Sequence, residues 1–351
     1  MNTTLGPGGE FDLIRSFLQA AGPSERPGVR VGPGDDAAVI DAGPIAVSVD
    51  LTIEGVHFRR DWLAPEQIGY RAAAAALSDL AAMAARPIGL LASLAVTAAD
   101  ARSGLAGRVV NGLIEAARDA DAALLGGDLT RSPGPITLDV VVLGTAERPA
   151  LRSGARAGDE VWVTGRLGAA AAAAAAWLAG RVPGPDARTA FARPRPRIAE
   201  AAWLAEHGLI HALIDVSDGV AGDAGHIAAA SGVQVVIDVE RVPVHEAAER
   251  EGAAAAEREI GGADEPVGGG KSSALRGARS RALRLALSGG EDYELLFAAP
   301  AGRVAAEAAA FESTFGIALS RIGEVREGAG VVLRDSTDEH EPTAGFSHFE
   351  R

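Results

Sequence analysis

Apolar and polar positions along this chain follow two different periods. Residues 10–21 carry Phe11, Ile14 and Leu18 on one side of a helical repeat. Short apolar runs at 37–40, 45–49 and 53–58, punctuated by Gly and Pro, read as strands. Pro65 then opens an Ala-rich helix that runs to about residue 85 and stops before Pro87. Residues 88–96 predict a strand, 101–120 a helix, and 122–125 and 136–145 two further strands.

The pattern breaks at 146–159, AERPALRSGARAGD, and a domain boundary is expected there, giving domains 1–150 and 151–351. It restarts with a strand at 160–164, a poly-Ala helix from Ala169, a helix near 196–207, a strand at 211–214, a helix from Asp218 and a strand at 233–239. Alanine is the strongest helix former, so the poly-Ala run reads as a packed helix. Residues 246–281 lack an apolar period and are rich in Gly, Ser and charge, which predicts a mobile insertion. Beyond it, strands at 293–298 and 317–325 flank a helix at 302–315. Alternating strands and helices in both halves predict an α/β architecture.

Composition narrows the function classes. The chain has 351 residues, no cysteine and a formal net charge of −14. Disulfides, zinc–thiolate sites and thiol nucleophiles are excluded. The acidic balance argues against nucleic acid as a partner. The N-terminal MNTTLGPGGEFDLI has no basic segment followed by an apolar one, and the longest apolar stretch, 169–179, is too short to span a bilayer. A cytoplasmic protein with no membrane association is the expectation. Lys271 is the only lysine. It sits in GGGKSS, which lacks the glycine a phosphate-binding loop needs five residues before Gly270; Glu265 stands there instead.

The acids are placed where this pattern gives them chemistry. AVSVD ends in Asp50, ALLGGD in Asp128, and HALIDVSDG carries Asp215 and Asp218, each where an apolar run gives out. Asp79 lies within the Ala-rich helix, and Asp35 and Asp36 stand side by side in VGPGDDAAVI. Each alone reads as a turn former or helix cap. Together they sit where α/β sheets bind ligands, beyond the carboxyl ends of strands. Two carboxylates about 4 Å apart repel by roughly 4 kcal/mol at an effective dielectric near 20, so such a cluster needs cations. Oxygen-only ligands select a hard ion such as magnesium, which commonly bridges carboxylates to substrate phosphates. The glycines of GGD (126–128) and SGGED (288–292) would let a ligand approach the backbone.

Eight motifs in order, GEFDLI, GDDAAV, VD…EGVHF, LSDLAAM, LLGGD, RSGARAGD, ALIDVSDG and LSGGEDYELLF, resemble the thiamine-monophosphate kinases, a family of the ATP-binding superfamily that includes aminoimidazole ribonucleotide synthetase. The resemblance runs from about residue 10 to 349, apart from 246–281. It implies two α/β domains of the aminoimidazole ribonucleotide synthetase-like type, the N-terminal sheet pairing across a homodimer. It also implies ATP-dependent phosphorylation of thiamine monophosphate to the diphosphate with several magnesium ions. Carried over by motif, the metal ligands would be Asp35, Ser48, Val49, Asp50, Asp79, Asp128, Asp215 and Asp218. Gly127, Asp128, Arg152 and Ser217 would contact ATP, and His57, Glu291 and Phe346 the thiamine end.

Two positions depart from the family pattern. Val49 stands where Thr is common, and Ala76 where many members have Asn. No Ser-His-Asp or comparable nucleophile set is visible, as expected for direct metal-assisted transfer with no catalytic side chain. The alternatives are another ATP-dependent enzyme of the superfamily, or a nucleotide- or divalent-ion-binding regulator without turnover. The selenophosphate synthetases and hydrogenase-maturation relatives would call for a reactive or C-terminal cysteine, which this chain lacks.

Overall fold

The computed structural model describes residues 16–17, 19–20, 29–31, 39–41, 43–261, 271–335 and 338–342, with the backbone alone at 31, 257–261 and 271–276. They form two compact units, Met1–Pro149 and Ala150–Arg351, each described by itself. Asp35 and Phe346, both expected at the site, lie outside the described residues.

In the first unit, β1 (Val29–Val31) and β2 (Val39–Ile40) form a small antiparallel pair. The main sheet holds β3 (Ile45–Ile53), β4 (Arg86–Val96), β5 (Ala123–Arg131) and β6 (Thr137–Thr145) in the order β3-β6-β4-β5. Only β4 and β5 run parallel. The runs 45–49 and 53–58, read as two strands, are corrected: β3 is one strand of nine residues, with Asp50 in its middle. Likewise β5 continues through GGD to Arg131, so Asp128 is not at a strand end.

Residues 16–17 and 19–20 are helical, and the described residues of the unit also form the helices α1 (Pro65–Ala82), α2 (Ala98–Arg102) and α3 (Leu105–Asp119). Pro65 stands at the first turn of α1, where its missing N–H costs nothing, and Gln67 Oε1 accepts the Ala64 N–H at 2.9 Å. The alanines of α1 are nearly all buried because α3 packs so close. A Cβ on Gly69 would collide with the Val109 carbonyl, and one on Gly112 with that of Glu66. One face of β3 packs under α1. The other presents Ile45, Val47, Val49 and Leu51, which are 43, 61, 61 and 47 % exposed.

The second unit is built on seven strands: β7 (Glu160–Thr164), β8 (Ala212–Asp215), β9 (Gln234–Asp238), β10 (Leu295–Ala299), β11 (Leu319–Arg326), β12 (Gly330–Arg334) and β13 (Glu339–His340). Their order is β13-β12-β9-β11-β7-β10-β8, and every pairing is antiparallel except β12 with β9. The helices are α4 (Ala169–Leu178), α5 (Pro185–Ala192), α6 (Ile198–Glu206), α7 (Val220–Ser231), α8 (Glu246–Gly261), α9 (Lys271–Ser288) and α10 (Arg303–Phe315). Val161, Val163, Ile214, Val235, Ile237, Leu296 and Ile322 of the sheet share a core with Val220, Ala224 and Ile227 of α7.

The reading of 246–281 as an irregular insertion is corrected on both sides of 262–270, which lie outside the described residues. EAAEREGAAAAEREIG is α8 and the chain from Lys271 is α9. The two pack so tightly that a Cβ on Gly252 would strike the Ala278 carbonyl. The buried positions include Ala247, Ala248, Ala256, Ala282 and Ala286, residues too small to leave a visible apolar stripe. Among the described residues no helix is long and apolar enough to cross a membrane.

Candidate functional site

The expected site residues fall into two groups, one in each unit. In the first, strand alternation puts Ser48 and Asp50 on the α1-facing side of β3, and Ser48 Oγ donates to Asp79 Oδ2 at 2.5 Å. Asp79 is thus tied to the strand by a charge-assisted bond, and a lone acid among alanines has its partner. Val49 points to the opposite, exposed face, so only its carbonyl is open to this group.

Asp128 and Gly127 are elsewhere in the sheet. Asp128 pairs with Ser93, Ser93 with Asp139, and Asp139 with Leu51, which puts Asp128 on the face of Val49 rather than that of Asp50. β3 and β5 are the two edges of the sheet, three strand spacings or about 14 Å apart. The expectation that several of these acids converge beyond strand carboxyl ends does not describe Asp50 and Asp128. Gly127 answers to packing, since a Cβ there would run into the Ala92 carbonyl.

His57 closes the turn that follows β3. Its Nδ1 accepts the Ile53 N–H at 3.0 Å, and the His57 backbone N–H donates to the Ile53 carbonyl at 2.9 Å. Nδ1 is therefore the unprotonated ring nitrogen in this arrangement. Arg60 secures the same turn by bridging Glu54 at 2.6 Å and Asp100 at 2.7 Å. The guanidinium holds the Asp100 carboxyl below the usual carboxylate range, with help from the Thr97 hydroxyl.

In the second unit four of the expected residues come together. β8 ends at Asp215, and Ser217, Asp218 and Gly219 lead into α7. The loop of Glu291 is laced onto this segment. The Glu291 N–H donates to the Ser217 carbonyl, the Tyr293 N–H to that of Val216, and the Val216 N–H to that of Glu294, all at 2.8 Å. Gly290 makes the approach possible: its φ is +66° and a Cβ would collide with the Ser217 carbonyl.

Asp223, in the first turn of α7, folds back and accepts the N–H groups of Ser217 at 3.1 Å and Asp218 at 3.2 Å. Burial, and then the charges of Asp215 and Asp218, push its pKa up to about 8. Ligand atoms of Asp218, Asp223 and His226 lie within 4.8 Å of one another. Neither Asp223 nor His226 was expected from sequence. The signal was present in SDGVAGDAGH, where residues 223 and 226 share a helix face.

Asp292, next to Glu291, turns to the N-terminus of α4, where its two oxygens accept the Gly168 N–H at 2.8 and 2.9 Å. Burial pushes this carboxyl well above its ordinary range, while the helix terminus favours its charge. Glu294 is clamped by Arg197 at 2.5 and 2.9 Å, and accepts the Thr164 hydroxyl at 2.5 Å. Arg152 is not brought to this group. Its carbonyl accepts Ser231 Oγ at 3.1 Å, at the end of α7 away from Asp218, and a helix of twelve residues is about 18 Å long.

The comparisons with known proteins follow the two units. Residues 34–146 match the family described as AIR synthase related protein, N-terminal domain, and residues 156–336 match AIR synthase related protein, C-terminal domain. The chain is 36 % identical over 339 residues to a thiamine-monophosphate kinase from Rhodopirellula baltica, covering 92 % of this chain and 93 % of that protein. A solved thiamine-monophosphate kinase from Stenotrophomonas maltophilia K279a superposes with a TM-score of 0.74 at 32 % identity, covering 94 % of this chain and 96 % of the other. The structure of AaThiL complexed with AMPPCP and TMP gives a TM-score of 0.70 at 27 % identity, with coverage of 97 and 96 %.

Proposed function

The chain belongs to the thiamine-monophosphate kinases within the AIR synthase related proteins, and from that premise we propose that it transfers the γ-phosphoryl group of ATP to thiamine monophosphate, giving ADP and thiamine diphosphate. The observation that carries this reading is likeness along almost the whole chain, in sequence and in fold, to kinases of this name and to a relative holding both an ATP analogue and TMP.

The donor set fits magnesium. The grouped side chains offer oxygen almost throughout, and Asp223 is pushed toward its neutral form by burial and then by two neighbouring carboxylates, whose repulsion a divalent cation relieves. The residues that would hold the ions are Asp35, Ser48, Asp50, Asp79 and the Val49 carbonyl in the first unit, with Asp128, and Asp215 and Asp218 in the second. When bound, magnesium supplies charge neutralisation between two phosphate-bearing reactants.

The chain's own part in the reaction is to bind and orient. Gly127 and Asp128 in the first unit and Ser217 in the second are assigned to ATP, and His57, Glu291 and Phe346 to the thiamine end; Arg152, held at the far end of α7 from Ser217, is left out of the set. The acceptor is a phosphate monoester with a second pKa near 6, so its oxygen is mostly ionised at neutral pH and no general base is required. Transfer is direct, with no phosphoenzyme. The exposed apolar face of β3 supports a homodimer that pairs through the N-terminal sheet.

Incubation with ATP, magnesium and thiamine monophosphate tests the reading. ADP and thiamine diphosphate should appear in equal amounts, and chelation or Asp50→Asn should stop the reaction. ADP without thiamine diphosphate, or radiolabel trapped covalently on the protein, would defeat it.

A further inference from the structure

The loop that carries Glu291 has an unusual backbone. Gly290, Glu291 and Tyr293 have φ of +66°, +66° and +51°, a region that disfavours side chains other than glycine. Two non-glycine residues in this region, two apart, need a structure that holds them there. The backbone ladder to Val216 and Ser217 supplies part of it. The side chains supply the rest by pointing in alternate directions. Asp292 turns to the N-terminus of α4, whereas Glu291 and Tyr293 turn toward one another, and the Tyr293 hydroxyl donates to Glu291 Oε2 at 2.6 Å. Tyr293 is 8 % exposed, so its ring is locked by packing and its hydroxyl is delivered from a fixed position.

We infer that Tyr293 is a positioning residue: its hydroxyl fixes the Glu291 carboxylate in the orientation that receives the thiamine end of the substrate. This rests on the assignment of Glu291 to that substrate. The chemistry is suited to it. Thiamine carries a cationic thiazolium and an aminopyrimidine, and a carboxylate answers either, by charge or by accepting an N–H. A glutamate has three side-chain torsions to order, and a partner that orders them beforehand removes that cost from binding. One oxygen held by Tyr293 aims the other.

Initial rates of the full-length enzyme, with each substrate varied against saturation of the other, test the assignment in Tyr293→Phe, Glu291→Gln and the double variant. Tyr293→Phe keeps the ring and removes only the hydroxyl. It should raise KM for thiamine monophosphate about tenfold, the scale of one hydrogen bond to a charged group, and leave KM for ATP within about twofold. Because Tyr293 acts through Glu291, the double variant should match Glu291→Gln alone.

Additive effects of the two changes would overturn the inference, as would a Tyr293→Phe enzyme whose KM for thiamine monophosphate is normal while that of Glu291→Gln is raised. A merely structural tyrosine would lower the unfolding temperature and move neither KM. An unchanged KM in Glu291→Gln would remove the substrate role of Glu291 and that of Tyr293 with it. A wild-type enzyme that does not turn over thiamine monophosphate would overturn both readings together.

Discussion

Ser48 shows how much one hydroxyl can set. It stands on the same side of β3 as Asp50 and holds Asp79, which comes from a different element, by a 2.5 Å bond. On the proposed assignment of Asp79 to magnesium, such a partner orients the carboxylate, and the loss of one commonly weakens metal binding by about 10–100-fold. Ser48→Ala should therefore shift the magnesium dependence of the reaction to higher concentration by about that factor, with activity recovered when magnesium is raised. A change in maximal rate with unaltered magnesium dependence would count against the role. Residue 49 behaves differently. Its side chain faces away from this group and is 61 % exposed, so Val in place of Thr leaves the Ser48 side untouched. Ala76 is fully buried within α1, where a small side chain suits the close approach of α3.

Among the elements, α8 has a titratable start. His245 Nδ1 accepts the Ala247 N–H at 3.0 Å, so the neutral imidazole serves the first turn of the helix. Burial holds the His245 pKa below its ordinary value. A depressed histidine pKa means that the unfolded chain takes up the proton first. The stabilisation is complete above the unfolded pKa of about 6.5 and is lost as pH falls through the lower, folded value. The unfolding temperature should thus drop on acidification from pH 7 to pH 5. His245→Asn keeps a capping oxygen without the titration, and should flatten that slope while costing no more than about 1 kcal/mol at pH 7. Thermal scans of both proteins across this range provide the check.

The elements also show where sequence reading succeeds. Period and punctuation place β7 and the start of α4 to the residue, because Glu160–Thr164 is bounded by turns and Gly168 precedes a run of the best helix former. They fail for α8, whose buried side is alanine. They also miss that β3 and β5 run on past Asp50 and Asp128. A charged residue within an apolar run reads as its end, yet a sheet tolerates an acid in mid-strand when one face is open or offers a hydroxyl. The grouping of candidate residues is legible in the second unit where Asp215, Ser217 and Asp218 lie within four residues of sequence, and not for Asp223 and His226. Glu291 joins the first three through long-range backbone bonds that no local pattern encodes. The rule that ligands gather beyond strand carboxyl ends belongs to parallel sheets. These sheets are largely antiparallel, and in the first one β3 and β5 run the same way, yet Asp50 and Asp128 face opposite sides at the two edges.

For the molecule as a whole, the exposed row Ile45, Val47, Val49 and Leu51 on an edge strand is a liability unless something covers it. Val47→Glu should give a monomer by light scattering if the homodimer forms through this face; an unchanged mass would remove the face from the interface. In the second unit, strand order and chain order disagree. β10, made late, lies between β7 and β8, made long before it, and brings with it Glu294, the bidentate partner of the part-buried Arg197. During synthesis on the ribosome, β7 and β8 therefore have no neighbour in common, and Arg197 has only Glu200 of its two acidic partners, until codon 299 has been translated. Nascent chains stalled ahead of Leu295 should stay open to protease across residues 160–215, and those released at full length should not.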